Sequence, residues 1–488
     1  MSMHSSAQTP ILDSLQKYLS EQVLPFHTPG HKLGKGAHAG LRQFMGPTAL
    51  SLDLTVVPGI GDLFDKQGPV RESQQQAAAL YGADRSYFLV NGTTCGIYAM
   101  ILATVGSGEK IIVPRNIHRS VMGGLILSGA VPVFVGAELD DELQIAMNAP
   151  AGAYERAMEL NADAKAVLVI NPTYYGAVTE LDRIVDSAHR RGMTVLADEA
   201  HGPHLHFSPL LPPQAITAGA DMAVQSTHKL LGALSQSSIL HCRGQRVKPN
   251  RLESMLQLVQ SSSPNYLLLA SLEAAVVQLA EAGPELIGRS VVLATQARRQ
   301  INRIDGLYCF GQERVGMPGL AGFDPTKLVV TVSGLGIRGN DAAAWLRQHG
   351  KVQAELSDVN NVLFLVTLAD DEATLHQLVE ALALMAGQYD GPRSPGQFPG
   401  YPFSQEPTSV CLSPREAVFG PRRRIRFDGA AGRICAETIA SYPPGVPLLF
   451  PGERITPEAV EYCQALLKQG FTILGPEDPT LINVEVVA

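Results

Sequence analysis

Residues 194–242 read TVLADEAHGPHLHFSPLLPPQAITAGADMAVQSTHKLLGALSQSSILHC. Three short apolar runs lie in this stretch, TVLAD, MAV and SSILHC, and polar or turn-forming residues separate them. Short apolar runs bounded in this way are typical of strands that are buried on both faces of a sheet. The stretch therefore predicts neighbouring strands, with Asp198 at the end of the first and Lys229 shortly after the second.

The same alternation extends upstream to about residue 85. Further apolar runs are SYFLV at 86–90, KIIVP at 110–114, VPVFV at 131–135 and AVLVI at 166–170, with helical stretches between them. This pattern predicts an α/β fold in which helices cover both faces of a mostly parallel sheet. Because ligands of such sheets bind beyond the carboxyl ends of the strands, the first functional candidates are the polar residues at 91–94, 115–118, 171–175, 198–201 and 226–229.

The remaining sequence predicts further domains, as expected for 488 residues. Two strand-like and two helix-like stretches between 327 and 387 indicate a small α/β layer, and a stretch rich in Pro, Gly and Ser follows it. The predicted division is an N-terminal segment at 1–45, a large domain at 46–323, a small α/β domain at 324–390, a linker at 391–413 and a C-terminal module at 414–488.

Composition argues against several classes of function. Lys and Arg total 38 and Asp and Glu total 46, which gives a net charge of −8, and no basic run is long enough to follow a nucleic-acid backbone. No window has the ~18 uninterrupted apolar residues of a membrane span, and the N-terminus has no signal-peptide apolar region. The six cysteines form no C-x-x-C pair, which favours reduced thiols. We expect a cytoplasmic protein without nucleic-acid, membrane or metal partners.

Lys229 and Asp198 are the strongest candidates for chemistry. A lysine at the ligand edge of a sheet can form a Schiff base, although a lone lysine there is more often an ordinary solvated side chain. Asp198, 31 positions earlier, could pair with the protonated ring nitrogen of pyridoxal phosphate (PLP), or it could cap the next helix. The turn NGTTCG at 91–96 adds hydroxyl and backbone N–H groups that can bind a phosphate. The three features together indicate a PLP site.

Three histidines follow predicted strands near these residues. His118 could lie flat against a cofactor ring, or it could be a surface histidine at the start of a helix. His201 and His228 are candidates for contacting the cofactor or for handling protons near neutral pH.

Several longer motifs carry a resemblance to a known family. They are FHTPGHKLG, FLVNGTTCG, IIVPRNIHRS, ADEAHGPH, STHKLLGALSQSS and GRICAETIASYPPGVPLLFPGE. With these motifs the chain resembles the prokaryotic ornithine/lysine/arginine decarboxylases, which are PLP-dependent enzymes of fold type I (aspartate-aminotransferase-like), in their short form. The resemblance runs from about residue 25 to about residue 475.

The resemblance implies a set of cofactor contacts. Lys229 forms the Schiff base, Asp198 pairs with the ring nitrogen and His118 stacks on the ring. A hydroxyl of Ser261 or Ser262 reaches the phosphate of the neighbouring subunit, which implies a homodimer or a higher homo-oligomer. The predicted cofactor-binding residues are Thr93, Thr94, Cys95, His118, Asp198, His201, Ser226, His228, Lys229, Ser261 and Ser262.

The resemblance also implies the reaction, which is decarboxylation of a basic L-amino acid in polyamine metabolism. Arginine, giving agmatine, is the first choice, ahead of lysine (cadaverine) and ornithine (putrescine). The predicted catalytic residues are Lys229, Asp198 and His228, with His228 or Lys229 as the proton donor at Cα. Glu453 could bind the basic side chain of the substrate, or it could be a solvated glutamate.

Two alternatives remain open at this stage. One is an aminotransferase or acyltransferase of the same fold, and the other is a catalytically dead relative that regulates a true decarboxylase. The presence of both Lys229 and Asp198 argues against a dead relative.

Overall fold

The structure is a computed structural model and describes residues 8–389, 406–442 and 446–488. The first helices are α1 (Pro10–Ser20), α2 (Ala39–Leu52), α3 (Pro69–Tyr81), α4 (Gly92–Thr104), α5 (Arg119–Ser128), α6 (Ala151–Leu160), α7 (Leu181–Arg190), α8 (Thr227–Leu230), α9 (Pro249–Val259) and α10 (Tyr266–Ile301). The strands of this region are β1 (Arg85–Leu89), β2 (Lys110–Pro114), β3 (Val131–Val135), β4 (Leu139–Asp140), β5 (Ile145–Ala146), β6 (Ala166–Ile170), β7 (Ala177–Val178), β8 (Thr194–Asp198), β9 (Met222–Gln225) and β10 (Ser238–Cys242).

The small domain and the C-terminal module contain the remaining elements. Those of the small domain are β11 (Tyr308–Cys309), β12 (Gly322–Phe323), β13 (Lys327–Thr331), α11 (Gly339–Trp345), β14 (Leu356–Ser357), β15 (Asn361–Leu365) and α12 (Glu372–Ala386). After them come β16 (Thr408–Ser409), α13 (Pro414–Phe419), β17 (Arg422–Arg426), β18 (Ile439–Tyr442), β19 (Val446–Leu449), α14 (Pro457–Lys468), β20 (Thr472–Leu474) and β21 (Asn483–Val487).

Eight strands form the central sheet in the order β1-β10-β9-β8-β6-β2-β3-β16. Strands β9, β8, β6, β2 and β3 are parallel to one another, whereas β10 and β16 run antiparallel to their neighbours. The predicted mostly parallel sheet is therefore confirmed. All seven apolar runs predicted as strands are strands of this sheet.

Helices cover both faces of the sheet because successive side chains of a strand point to opposite faces. Ile111 and Val113 pack in the core formed with α4, α5 and α9, and Ile112 between them packs in the core formed with α6 and α7. All three side chains are completely buried. This two-sided burial explains why the strands read as continuous apolar runs.

The small domain is built on a four-stranded sheet with the order β11-β13-β15-β14, and Ala294, Ala297 and Ile301 of α10 lie in its core. The start of this domain at residue 324 stays a prediction. The first half of α10 packs in the large domain and its last turns pack in the small domain, and no break in the sequence marks this change because α10 is one continuous helix.

Part of the predicted linker is ordered structure. Residues 391–405 lie outside the described residues, but β16 pairs with β3 at the edge of the central sheet. The predicted linker therefore ends too late, because Thr408 and Ser409 already belong to the sheet. The C-terminal module has its own core around α14 and β21.

The N-terminal segment packs onto α10. The carboxylate of Glu273 accepts hydrogen bonds from the backbone N–H groups of Ile11 (2.7 Å) and Leu12 (2.9 Å) at the start of α1. The boundary predicted after residue 45 falls inside α2, at a kink where Gly46 has a φ of +76°. Among the described residues, α10 is the one helix long and apolar enough to cross a membrane, and half of its most apolar window is buried within the protein.

Candidate active site

A cavity of about 450 Å³ lies beyond the carboxyl ends of the parallel strands. Its lining includes residues from all five strand ends that the sequence singled out, namely 91–94, 116–118, 172–175, 198–201 and 226–229. These segments are far apart in the sequence, and the parallel sheet brings them to one edge.

Lys229 lies in α8, the single helical turn that follows β9. Its Nζ is 2.8 Å from Nε2 of His201 and 5.4 Å from the centre of the Tyr174 ring. Burial lowers the pKa of Lys229, while the carboxylates of Asp198 and Glu355 act in the opposite direction. A lowered pKa increases the fraction of neutral amine, which is the nucleophilic form.

Asp198 ends β8 and is 6 % exposed. Burial raises the pKa of this carboxyl, and the positive charges of His118 and Lys229 oppose the rise. Its Oδ1 accepts a hydrogen bond from the N–H of Ala200 at 3.2 Å. Asp198 is thus a desolvated carboxyl group that interacts electrostatically with His118 and Lys229 in the same cavity.

His118 precedes α5 and caps it, because its Nδ1 accepts the N–H of Ser120 at 3.2 Å. Its pKa is lowered by burial and raised by the nearby carboxylate of Asp198. The imidazole therefore caps α5 and lies within electrostatic reach of Asp198. Its stacking on a cofactor ring stays a prediction.

The start of α4 faces the cavity with Thr93 and Thr94. The side chain of Asn91 does not cap this helix, so no cap from that residue occupies its first N–H groups. Thr93 Oγ1 lies 2.6 Å from Ser226 Oγ and 2.9 Å from Ser238 Oγ. A helix N-terminus with adjoining hydroxyls can bind an anion such as phosphate.

His228 also lines the cavity. Its Nδ1 lies 2.8 Å from the carbonyl oxygen of Ser237, which can only accept, so Nδ1 carries the proton. Burial lowers the pKa of His228. The neutral ring therefore has an unprotonated Nε2.

Four of the predicted residues lie outside the cavity lining. The Cys95 thiol is buried and donates to the carbonyl oxygen of Gly92 at 3.0 Å, and burial raises its pKa to about 12. Ser261 and Ser262 are exposed, and the N–H of Ser261 donates to Asn91 Oδ1 at 3.2 Å. This contact places the serine loop beside the turn at 91–94 of its own chain.

Glu453 is the fourth, and the structure gives it a partner other than a substrate. Its two carboxylate oxygens accept hydrogen bonds from the guanidinium of Arg115 at 2.7 and 2.9 Å, and Oε2 also accepts the N–H of Phe450. Both side chains of the ion pair are largely buried. A substrate cation would have to displace Arg115, so the geometry does not support the predicted substrate contact of Glu453.

Two further residues stand out that the sequence did not reveal. Tyr174 lines the cavity, and its ring centre lies 4.5 Å from that of His201. Glu355 is an exposed carboxylate of the small domain that acts electrostatically on His228 and Lys229. Tyr174 lies in a strand end already singled out, whereas no local pattern marks Glu355. Within the described ranges, no group of His, Cys, Asp or Glu side chains is arranged to hold a metal ion.

Comparison with known families decides the classification. The sequence profile described as Orn/Lys/Arg decarboxylase, major domain, matches residues 9–374, and the profile of the C-terminal domain of the same family matches residues 404–473. The chain belongs to the Orn/Lys/Arg decarboxylase family. Family membership identifies the protein as an amino-acid decarboxylase rather than an aminotransferase or acyltransferase.

Relatives of this decarboxylase are similar over nearly the whole chain. The arginine decarboxylase of Halalkalibacterium halodurans is 43% identical and covers 99% of both chains. The arginine decarboxylase of Bacillus subtilis is 42% identical and covers 100% of this chain and 99% of its own. The inducible lysine decarboxylase of Escherichia coli is 27% identical over 96% of this chain and 78% of its own.

Solved structures confirm the fold. The lysine decarboxylase of Francisella novicida has a TM-score of 0.85 with 22% identity and covers 99% of this chain and 81% of its own. A serine palmitoyltransferase from Sphingomonas wittichii has a TM-score of 0.54 with 14% identity and covers 79% of this chain and 86% of its own. The α/β fold predicted from the sequence is therefore confirmed.

Proposed function

We propose that this decarboxylase uses PLP and converts L-arginine to agmatine. The observation that carries the choice of substrate is the similarity at 41–43% identity to four proteins named arginine decarboxylase, against 27% for the E. coli lysine decarboxylase. We further propose that it is a soluble cytoplasmic protein that works as a homodimer or a higher homo-oligomer.

The side chains of the cavity fit PLP. Lys229 supplies an amine with a lowered pKa, and Asp198 supplies a buried carboxyl group that interacts electrostatically with Lys229 and His118. The start of α4, with Thr93, Thr94 and the adjacent Ser226, would hold the phosphate. His118 would cover the ring. When bound, PLP supplies an electron-withdrawing ring that accepts the electron pair left by the departing carboxylate.

The chain's own residues would control which bond breaks and where protons move. Asp198 would keep the cofactor's ring nitrogen protonated, which preserves its electron-withdrawing character. Because His228 Nε2 carries no proton in the neutral ring, we assign the proton that replaces CO2 at the substrate Cα to Lys229 Nζ. His201, whose pKa is held well below its usual value by burial, would accept a hydrogen bond from Nζ and orient it.

We propose Glu355 as the carboxylate that binds the guanidinium of arginine. Its exposed carboxylate lines a cleft of the small domain with Phe364 and Leu378, and it acts electrostatically on His228 and Lys229 of the cavity. Its backbone N–H donates a hydrogen bond to the carbonyl oxygen of Leu363. A charge-assisted hydrogen bond to a guanidinium is strong because both partners are ionised. Glu453, by contrast, is already paired with Arg115.

The first experiment measures CO2 release from arginine, lysine and ornithine by the purified protein with PLP. Arginine should have the highest kcat/KM. Lys229→Ala should abolish turnover, and it should also abolish the covalent PLP adduct that borohydride traps in the wild type. A preference for lysine or ornithine would contradict the proposed substrate, and an adduct mapped by mass spectrometry to another lysine would contradict the assignment of Lys229.

A matched pair of variants separates the two glutamates. Glu355→Gln should raise KM for arginine at least ~10-fold, equivalent to about 1.4 kcal/mol, with a smaller change in kcat. Glu453→Gln should instead lower the free energy of unfolding by about 3–5 kcal/mol, because it disrupts a buried ion pair. The reverse pattern would restore Glu453 as the substrate contact.

A further inference from the structure

The residue after Asp198, Glu199, is a completely buried carboxylate that the proposed reaction does not use. Three donors surround it. Its Oε1 accepts hydrogen bonds from the backbone N–H of Ala215 (2.7 Å) and from Nδ2 of Asn171 (3.0 Å), and its Oε2 accepts from Nε2 of Gln225 (2.8 Å). A carboxylate with three donors is fully satisfied in the interior.

These bonds fix one wall of the cavity. The N–H of Asn171 donates to the carbonyl oxygen of Asp198 at 3.0 Å, while its side chain donates to Glu199. The four residues that follow Asn171, at 172–175, line the cavity. Gly202 packs directly against Glu199, since a Cβ at position 202 would lie 2.5 Å from Glu199 Cγ. Through its bond to Asn171, Glu199 thus helps to fix the position of the cavity wall at 172–175.

A hydrogen-bond chain continues from Glu199 across the sheet. Gln225 Oε1 lies 3.2 Å from His241 Nε2, and His241 Nδ1 lies 2.7 Å from Ser86 Oγ. The residues belong to, or directly follow, the neighbouring strands β8, β9, β10 and β1. All are buried, so no solvent replaces a bond that is lost.

The hydrogen-bonding groups of Glu199, Gln225, His241 and Ser86 can all be paired in two arrangements. With Glu199 ionised, Gln225 donates to it, His241 donates from Nε2 to Gln225, and Ser86 donates to Nδ1. With Glu199 protonated at Oε2, its hydroxyl donates to a flipped Gln225 amide. The amide then donates to His241 Nε2, and Nδ1 donates to Ser86. Amide orientation and histidine tautomer are set by the surrounding network, and Oε1 keeps its bonds to Ala215 and Asn171 in both arrangements.

We propose that Glu199 is a positioning residue that holds the cavity wall at Asn171 in both of its protonation states, because the chain through Gln225 and His241 to Ser86 reverses its direction when the proton arrives. The inference concerns a residue outside the proposed cofactor and substrate contacts, and it rests on the proposed function only for its kinetic test.

The environment of the hydrogen-bond network favours protonation of Glu199 near neutral pH. Burial raises the pKa of Glu199 to about 7, the donors oppose the rise, and the carboxylate of Asp198 adds to it. Tyr81 also faces Glu199, and its phenol stays protonated because burial raises its pKa. His241 stays neutral, since burial lowers its pKa to about 3, and the nearby His206 is neutral for the same reason.

The sign of the effect on stability follows from the raised pKa. Between the unfolded value of ~4.5 and about 7, the folded protein binds a proton that the unfolded chain has released. The stability that this proton contributes is fully present below the lower value and is lost as pH rises through about 7. Glu199→Gln, a neutral mimic, lacks this dependence.

The test is a series of melting curves of the full-length protein with PLP present, from pH 5 to pH 8.5. The Tm of the wild type relative to Glu199→Gln should fall as pH rises to about 7 and stay level above it. Gln225→Met removes the donor to Oε2 and should move this inflection upward by at least one pH unit. Gln74→Met is the matched control, since Gln74 is a buried glutamine that donates to the carbonyl oxygen of Leu63 and not to Glu199. A Tm difference that is constant across the range would overturn the proposal.

Kinetics test the positioning role. Glu199→Leu, which loses the bond to Asn171, should raise KM for arginine at least ~10-fold. The KM of Glu199→Gln should lie close to that of the wild type. Equal KM and kcat in the wild type and the leucine variant would overturn the role. If the wild type releases CO2 from none of the three amino acids, the proposed function fails while the melting curves still decide the protonation of Glu199.

Discussion

Asp198 shows how opposing forces act on a single residue of this fold. Removal of its carboxylate from water favours the protonated form, while His118 and Lys229 favour the ionised form. A partner for a protonated ring nitrogen must be ionised, and the electrostatic effects of Lys229 and His118 act in that direction. Because the ionised carboxylate is needed, we expect replacement of Asp198 by an uncharged residue to slow the reaction.

Asp198→Ala should fold and still bind PLP, but decarboxylate at least ~100-fold more slowly, a cost of about 2.7 kcal/mol in activation free energy. The physical reason is the loss of the carboxylate that would keep the cofactor's ring nitrogen protonated. Single-turnover measurement of CO2 release with saturating PLP checks the effect on the chemical step. A variant that releases CO2 at a rate within threefold of the wild type would show that another group keeps the ring nitrogen protonated.

At this scale the sequence predicts the location of a side chain where that location follows from a strand end. Lys229, Asp198 and His118 are predicted in this way, and the structure brings them to one cavity, while their chemical roles stay predictions. The sequence does not reveal the ion pair of Glu453 with Arg115, because it joins residues 338 positions apart. It gives no sign of Glu355 either, because the relation of this residue to the cavity depends on how the small domain packs, which no local pattern encodes.

At the scale of elements, the packing of α4 on the sheet depends on a residue without a side chain. A Cβ at Gly96 would lie 2.6 Å from Val224 Cγ2 and 2.7 Å from Leu89 Cδ1, both buried in the core under α4. The glycine allows the helix that begins at the phosphate-binding turn to lie directly against β9 and β1.

Gly96→Ala should therefore destabilise the protein by about 1–3 kcal/mol through overpacking. The matched control is Gly288→Ala on α10, where a new Cβ meets nothing within 4 Å and the helix should gain about 0.5–1 kcal/mol. Urea unfolding followed by circular dichroism measures both. Equal changes in the two variants would mean that helix propensity, rather than contact with the sheet, determines the result.

The strands of the large domain were predictable because each is a continuous apolar run between polar turns. The directions of the strands were less predictable from the sequence, because β10 runs antiparallel to β9 after a connection of only 12 residues. The edge strand β16 has two residues and no apolar run. It pairs with β3, and the ion pair between Arg115 and Glu453 joins the C-terminal module to the large domain.

At the scale of the whole molecule, we predict assembly. Phe26 and Phe44 are 89% and 90% exposed, with Leu24 at 74% between α1 and α2. Apolar side chains that are largely exposed in a single chain are characteristic of surfaces that another molecule covers. This exposure supports the predicted homodimer, in which Ser261 or Ser262 reaches the neighbouring cofactor.

Mixing two inactive proteins tests the shared site. One carries Lys229→Ala, and the other carries Ser261→Ala with Ser262→Ala. A mixed dimer contains one site with both its own lysine and the partner's serines, so activity should rise above the sum of the separate proteins. The double-serine variant must itself be strongly impaired, and tagged pull-down must show subunit exchange. Exchange without recovered activity would contradict the shared site and leave Ser261 as a turn residue.

The pairing of β16 with β3 also has a consequence for synthesis on the ribosome. Val133 and Phe134 of β3 receive their edge partners, Ser409 and Thr408, from a part of the chain about 275 positions later. At elongation rates of about 5–20 residues per second, those partners emerge roughly 15–55 seconds after the strand they cover. During that interval the nascent sheet has an open, apolar edge, the kind that pairs with other chains. We therefore expect co-expression of a chaperone that holds nascent chains to increase the soluble yield of this enzyme, and slower elongation to lower it.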